Sequence, residues 1–137
     1  MSLAAKKTTR VATNRRAKVI ENPARDLALA IAQAGFDKKA TDVEIIDVTG
    51  KVDYADFVVV MSATSDRQAN AIAKNIDSTL SLAGHRANSI EGLPQGAWVL
   101  MDYGDFLVHV FLDEARSFYD LEHLWTDAPR VPWSVAA

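Results

Sequence analysis

The sequence contains no cysteine among its 137 residues. A disulfide framework, a thiolate nucleophile, a Cys-ligated zinc site and an iron–sulfur cluster are therefore excluded. It also lacks any apolar run near the roughly 20 residues that a membrane-spanning helix needs, so an integral membrane protein is not expected. A chain of this length that is 49% apolar and 24% charged predicts one soluble domain. Since no signal-peptide pattern is seen, we expect a cytoplasmic protein, with an organelle as the alternative.

The charges are unevenly distributed along the chain. Residues 1–20 carry a charge of +6 and the remainder carries −9, within a net charge of −3. The basic composition predicts a disordered tail over residues 1–21. We expect an ordered domain over 22–130 and a C-terminal tail over 131–137. The basic tail is either an arm that contacts RNA or a solubilising extension; a transit peptide is less favoured, because its apolar residues form no amphipathic stripe. The acidic remainder favours a basic protein partner.

Hydrophobic periodicity predicts three helices and four strands. The first helix is capped by Asn22 and ended by Gly35, and the second begins with a capping box at Ser65–Gln68 and is ended by Gly84. The last helix is capped by Asp113 and ended by Pro129, and its apolar face carries Ala115, Phe118, Leu121 and Leu124. The predicted strands are Val43–Val48, Phe57–Met61, Ala97–Asp102 and Phe106–Leu112. Phe57–Met61 lacks alternation, which predicts a central strand buried on both faces. The last two strands form an antiparallel hairpin, with 91–96 as a loop before it. We therefore expect an α/β domain with a mixed four- or five-stranded sheet flanked by helices.

Two acidic residues, Asp102 and Asp105, form the most enzyme-like feature. Neighbouring carboxylates can hold Mg²⁺ and orient a phosphate substrate. Residues three apart across a turn diverge, however, and Asp and Gly are common turn formers. The chain has no glycine-rich phosphate loop, and its three histidines lack metal-ligand spacing. We therefore interpret both residues as turn formers and predict no catalytic residue, metal or cofactor, with a nucleotidyltransferase-like, nucleotide-binding enzyme as the alternative.

The predicted hairpin places an apolar platform on one face of the sheet. Alternation places Trp98, Leu100 and Asp102 on one face of the first strand. It places Leu107, His109 and Phe111 on one face of the second, and we expect the two faces to coincide. The platform is either core beneath a helix, which periodicity alone favours, or a protein-binding face, because tryptophan often dominates interface energetics. A surface that stacks RNA bases would have a basic rim, whereas the residues around this platform are acidic.

Several motifs occur together in an order that is specific. They are D-F-V-V-V over 56–60, S-A-T-S-D-R-Q over 62–68, W-V-L-x-D-x-G-D over 98–105, V-H-V-F over 108–111 and R-x-F-Y-x-L-E over 116–122. Across about residues 24–130 the chain closely resembles the ribosomal silencing factor family, also called Iojap-like. The resemblance covers nearly the whole predicted domain and none of the basic tail.

The resemblance implies a translation regulator that performs no catalysis. Members of the family bind large-subunit ribosomal protein uL-fourteen, block joining of the large and small subunits, and repress translation under nutrient limitation. Their fold is similar to that of nucleotidyltransferases, and several form homodimers when free. The family's contact tryptophan matches Trp98. The resemblance also places in or beside the contact face Leu100, Asp102, Tyr103, Asp105, His109 and Phe111.

Overall fold

A computed structural model describes residues 23–135. Its elements, in chain order, are α1 (Pro23–Phe36), β1 (Thr41–Asp47), β2 (Phe57–Ala63), α2 (Asp66–Leu82), β3 (Ser89–Glu91), β4 (Trp98–Asp102), β5 (Phe106–Leu112), α3 (Asp113–Tyr119) and a 3₁₀ helix (Leu121–Trp125). No helix within 23–135 is both long and apolar enough to cross a membrane. The predicted basic tail and the Asn22 cap lie outside the described residues.

The strands form one five-stranded sheet in the order β1-β2-β5-β4-β3. β2 and β5 pair in parallel, and the other neighbours pair antiparallel. The predicted mixed sheet and the β4–β5 hairpin are therefore confirmed. All seven residues of β2 are buried, as its lack of alternation predicted, although β5 takes the middle position.

Helices cover the two faces of the sheet unequally. α1 and α2 pack over one face, where residues such as Ile31, Ile72 and Val108 form the larger core cluster. The other face has a smaller cluster that includes Phe111 and Trp125. Its cover is the seven-residue α3 and the five-residue 3₁₀ helix. Such a short cover leaves part of this face accessible to solvent, since Trp98, Leu100 and Asp102 are only partly buried.

The capping box predicted at the start of α2 is half formed. Ser65 caps the helix, and its side chain accepts a hydrogen bond of 3.1 Å from the Gln68 amide. The Gln68 side chain does not return this bond to Ser65. Its carbonyl oxygen accepts from the Thr64 amide at 2.7 Å, and its amide nitrogen donates to the carbonyls of Lys38 and Lys39 at 3.1 and 2.9 Å. Gln68 therefore ties the connection after α1 to the start of α2.

The prediction of one continuous last helix is wrong. α3 begins with Asp113 itself, after a cap position at Leu112 that makes no side-chain hydrogen bond. It ends at Tyr119, because Asp120 adopts a left-handed backbone conformation with φ of 47°. The 3₁₀ helix that follows turns the chain, so residues spaced for one helix no longer share one face. Periodicity cannot reveal a single left-handed aspartate of this kind.

Two further differences from the predicted elements concern the end of α1 and the short strand β3. Gly35 lies inside α1, where a Cβ would collide with the Met61 side chain, so it permits close packing and does not end the helix. β3 was not predicted, because only three residues, two of them exposed, form it. Gly92 follows β3 with φ of 95°, and a Cβ there would collide with the Trp98 carbonyl oxygen. Gly92 thus allows the 91–96 loop to pass close to β4.

The segment after Arg130 packs along the outer edge of β1. The Val131 amide donates to the Ile45 carbonyl at 2.8 Å, and the Trp133 indole donates to the Val43 carbonyl at 3.3 Å. Since an unpaired strand edge invites association with other chains, this segment protects β1 from such pairing.

Candidate partner-binding site

The strand register brings the two halves of the predicted platform onto one face. Trp98 pairs with Phe111, and Leu100 pairs with His109. Asp102 lies opposite Leu107 at the far end of the hairpin. The expectation that both strands present these residues on one face is therefore confirmed.

Trp98 is partly buried. Its position thus lies between the two alternatives of the sequence analysis, a core residue beneath a helix and an exposed residue of a protein-binding face. Its ring centroid lies 4.9 Å from that of Phe111, which is fully buried, and 4.7 Å from that of Tyr119 in α3. Its indole Nε1 donates a hydrogen bond of 3.0 Å to Nδ1 of His109. The platform is thus covered at Phe111 and His109, and partly accessible at Trp98.

Two further aromatic residues extend from Trp98 into solvent. Tyr119 is 51% exposed and Phe118 is 80% exposed, and their rings meet edge to face at 5.0 Å. We call Trp98, Phe118 and Tyr119 the aromatic surface. Large exposed apolar side chains grouped in this way are typical of protein contact sites.

Sequence reasoning did not assign Phe118 and Tyr119 to the site. Helical spacing placed Phe118 on the apolar face of a long helix, which the left-handed Asp120 interrupts. The available signal was the R-x-F-Y-x-L-E motif, whose adjacent aromatic residues point in directions about 100° apart on a helix, so that Tyr119 lies away from the centre of the apolar face on which the spacing placed Phe118.

Arg116 fixes α3 against the sheet. Its guanidinium donates to Glu122 at 2.8 Å, to the Ser62 hydroxyl at 2.9 Å and to the Asp42 carbonyl at 2.6 Å. Glu44 lies 3.6 Å away as a second acidic partner. The Arg116 side chain is only 10% exposed, so these partners replace the water that it loses. Phe118 and Tyr119 lie two and three residues after Arg116 on the same helix, and the network therefore holds the aromatic surface in place.

An open acidic cleft lies beside α3. Its lining contains five carboxylates around the Arg116 guanidinium, namely Asp42, Glu44, Asp113, Asp120 and Glu122. Within residues 23–135, no three His, Asp or Glu side chains are grouped in a way that could hold a metal ion. The cleft instead gives the surroundings of the aromatic surface a negative potential.

The residues of the turn between β4 and β5 lie apart from the aromatic surface. The Asp102 carboxylate accepts from the Gly104 amide at 2.8 Å, and the Asp105 carbonyl accepts from the Asp56 amide at 2.6 Å. Tyr103 packs into the core on the α1–α2 side and stacks on Phe106 at 5.2 Å. Asp102 thus stabilises the turn through its side chain, as the turn-former interpretation predicts, and the hydrogen bonds of Asp105 come from its backbone.

Burial of the Tyr103 side chain, with a smaller contribution from the charge of Asp77, raises its pKa to about 12. Its hydroxyl is buried and has no hydrogen-bond partner among the described residues. An unpartnered buried hydroxyl costs free energy.

Tyr103→Phe is expected to raise the free energy of unfolding by about 1 kcal/mol, because it removes a buried polar group that forms no hydrogen bond. Urea denaturation of both proteins at pH 7 measures the difference. Tyr119→Phe is the matched control: this ring is 51% exposed, so removing its hydroxyl should change little. A marked loss of stability in Tyr103→Phe would contradict the expectation and reveal a partner for the hydroxyl.

His109 is buried and neutral. Burial lowers its pKa from 6.5 to about 4, and the nearby charge of Glu122 opposes this shift only in part. The hydrogen bond from Trp98 requires the neutral form, because protonated Nδ1 would be a second donor facing the indole N–H.

We expect stability to fall as the pH is lowered from about 6.5 to 4. In this window the unfolded state binds a proton at His109 and the folded state does not, which favours unfolding. The loss from this group reaches about 3 kcal/mol and stops below pH 4, where both states are protonated. Urea denaturation across the window should show a smaller loss for His109→Asn than for the native chain. His123→Asn, at a side chain 78% exposed, serves as control, and equal slopes in all three proteins would refute the assignment.

Comparison with known proteins yields consistent matches. The profile of the family described as "Ribosomal silencing factor during starvation" matches residues 21–136. The chain is 41% identical over 98 residues to ribosomal silencing factor RsfS of Bacillus subtilis, covering 72% of this chain and 83% of the relative. It is 32% identical over 101 residues to the chloroplastic protein Iojap of Zea mays, covering 74% of this chain and 44% of the relative.

Two solved crystal structures share the fold. A Bacillus halodurans protein matches with a TM-score of 0.68 and 34% identity over 82% of this chain and 99% of that chain. A Chromobacterium violaceum protein matches with a TM-score of 0.70 and 32% identity over 84% of this chain and 92% of that chain.

The fold and the site define a small α/β protein that presents aromatic side chains beside an acidic cleft. Within this class, the chain belongs to the ribosomal silencing factor family, as the match over nearly its whole length shows.

Proposed function

We propose that the protein binds the large ribosomal subunit through ribosomal protein uL-fourteen and sterically blocks joining of the small subunit, repressing translation under nutrient limitation. The observation that carries this proposal is the partly exposed Trp98, continued into solvent by Tyr119 and Phe118. The sequence resemblance also matches Trp98 to the contact tryptophan of the family, which supports the proposal.

The proposed action requires no chemical step. A specific protein contact covers about 800 Å² on each partner, and a subunit surface so covered is closed to the opposite subunit. Silencing then depends on affinity and residence time. We expect the protein to act in the cytoplasm. Most of the related proteins described above come from bacteria, and bacterial ribosomes lie in the cytoplasm.

Electrostatics favour a basic protein over RNA as the direct partner. The acidic cleft lies beside α3, whose Phe118 and Tyr119 belong to the aromatic surface. Such a potential speeds encounter with a basic ribosomal protein and repels the phosphates of ribosomal RNA. The basic residues 1–20 are therefore the candidate for a direct contact with ribosomal RNA.

The aromatic surface also offers a contact for a homodimer of the free protein. Exposed aromatic side chains of one copy can cover those of a second copy across a two-fold axis. Dimerisation through this surface would compete with ribosome binding, so the ribosome-bound form is expected to be monomeric.

Sedimentation of purified large and small subunits tests the proposed function. Adding the protein in increasing amounts should progressively reduce the peak of joined ribosomes, and the protein should sediment with the large subunit. Unchanged joining at a saturating concentration would contradict the proposal. A chain that lacks residues 1–20 separates the contribution of the tail: if the tail contacts RNA, its removal weakens binding and reduces the salt dependence.

A further inference from the structure

The indole N–H of Trp98 is already hydrogen-bonded within the chain. His109 lies diagonally across the hairpin from Trp98, since Trp98 pairs directly with Phe111. Its Nδ1 lies 3.0 Å from the indole Nε1. An indole offers one donor, so this single bond satisfies the whole polar requirement of the side chain.

Ring contacts and this bond together select one orientation of the indole. Phe111 and Tyr119 contact the ring at centroid distances of 4.9 and 4.7 Å, with planes tilted by 32° and 45°. Ring contacts of this kind tolerate rotation of the indole, whereas a hydrogen bond fixes where the N–H points. His109 therefore decides which edge of Trp98 is directed to solvent.

His109 is too deeply buried to be a contact residue. Its exposed fraction is 6%, and that of Phe111 behind it is 0%. A partner that covers the aromatic surface would meet Trp98 and Tyr119 first. A role for His109 in binding therefore has to act through Trp98.

We propose that His109 is a positioning residue, which holds the Trp98 indole in its binding orientation through the Nδ1 hydrogen bond. This inference rests on the proposed function and gives His109 a different role from that of a direct contact. An indole fixed before association loses less side-chain freedom when the partner binds. Because its N–H is already satisfied, the partner has to supply an apolar surface over the ring and no acceptor.

Two substitutions separate the hydrogen bond from the bulk of the ring. His109→Phe keeps a planar ring and removes the acceptor, whereas His109→Asn loses the ring and keeps an acceptor oxygen near the position of Nδ1. Val110→Ala is the control for general loss of packing, because Val110 is fully buried and neighbours His109 on the same strand, with its side chain on the opposite face.

Two measurements are made on each full-length variant. The first is the ¹H–¹⁵N resonance of the Trp98 indole in the free protein, with the Trp133 indole, which donates to the Val43 carbonyl, as internal reference. The second is affinity for purified large subunits. His109→Phe should shift the Trp98 resonance, leave that of Trp133 in place and weaken binding about five- to tenfold. His109→Asn should restore both toward native values, and Val110→Ala should change neither.

The inference is overturned if His109→Phe leaves the Trp98 resonance in place. It is equally overturned if His109→Phe shifts that resonance but binds large subunits like the native chain, provided that Trp98→Ala weakens binding. It is also overturned if Val110→Ala reproduces both effects, since they would then report lost packing alone. If Trp98→Ala itself leaves subunit binding unchanged, the proposed function fails first. The Trp98→Ala measurement thus distinguishes the two failures.

Discussion

Trp98→Glu is expected to abolish detectable binding to the large subunit and to restore subunit joining in the presence of the protein. A tryptophan at the centre of a contact contributes a large share of the binding free energy, and a carboxylate there would be buried without a partner. We expect a loss of about 4 kcal/mol, roughly a thousandfold in affinity. Co-sedimentation with large subunits and the subunit-joining assay measure it.

A matched control separates this effect from the addition of a negative charge. Leu82 is a 90% exposed apolar residue near the end of α2, which covers the opposite face of the sheet. Leu82→Glu should therefore leave both binding and joining unaffected. Circular dichroism establishes whether Trp98→Glu is still folded. A folded Trp98→Glu that binds like the native chain would contradict the placement of the contact at the aromatic surface.

Arg116→Met is expected to lower the free energy of unfolding by about 3–5 kcal/mol, because it leaves Glu122 without its countercharge in a largely buried setting, whereas Glu44 keeps its ion pair with Arg130. The Glu122 side chain is 19% exposed, and Ser62 is 2% exposed. Both groups depend on Arg116 for their side-chain hydrogen bonds. Urea denaturation at pH 7 measures the change. Binding to the large subunit should weaken as well, because α3 would no longer hold Phe118 and Tyr119 in place.

The exposed ion pair between Lys51 and Asp127 provides the control for this substitution. Its charged atoms lie 3.4 Å apart, but the Asp127 side chain is 79% exposed, so Lys51→Met should cost less than about 0.5 kcal/mol. The double variant Arg116→Met, Glu122→Gln should recover part of the lost stability, since the unpaired carboxylate is removed. Equal, small losses for Arg116→Met and Lys51→Met would show that the Arg116 network contributes no more than a surface pair.

The sequence predicted the strands and the two long helices well, because these elements follow from local periodicity. β2 is an example: seven buried residues without alternation indicate a strand covered on both sides whatever its neighbours are. The capping prediction at Ser65 succeeded for a similar reason, since the bond to the Gln68 amide is local. β3 escaped prediction, because it consists of three residues whose pairing with β4 is not local.

The candidate site was predicted in part. Trp98 and its face followed from strand alternation and from the motifs, and the register placed Phe111 opposite it. Tyr103 packs on the other side of the sheet, with Val99 and Met101, where the alternation of β4 also places it. Phe118 and Tyr119 were not assigned to the site, because periodicity predicted one long helix and did not reveal that Asp120 ends α3.

By itself the sequence determined the family, the mixed sheet and the strand face that carries Trp98, because each of these is encoded in short motifs and alternation. The tertiary structure alone decided how much of Trp98 is exposed, because that depends on how far a short α3 covers the sheet. It also decided that the single donor of the indole is bonded to His109, eleven residues away along the chain. Contacts of this kind depend on strand register and helix docking, which no local pattern of residues specifies.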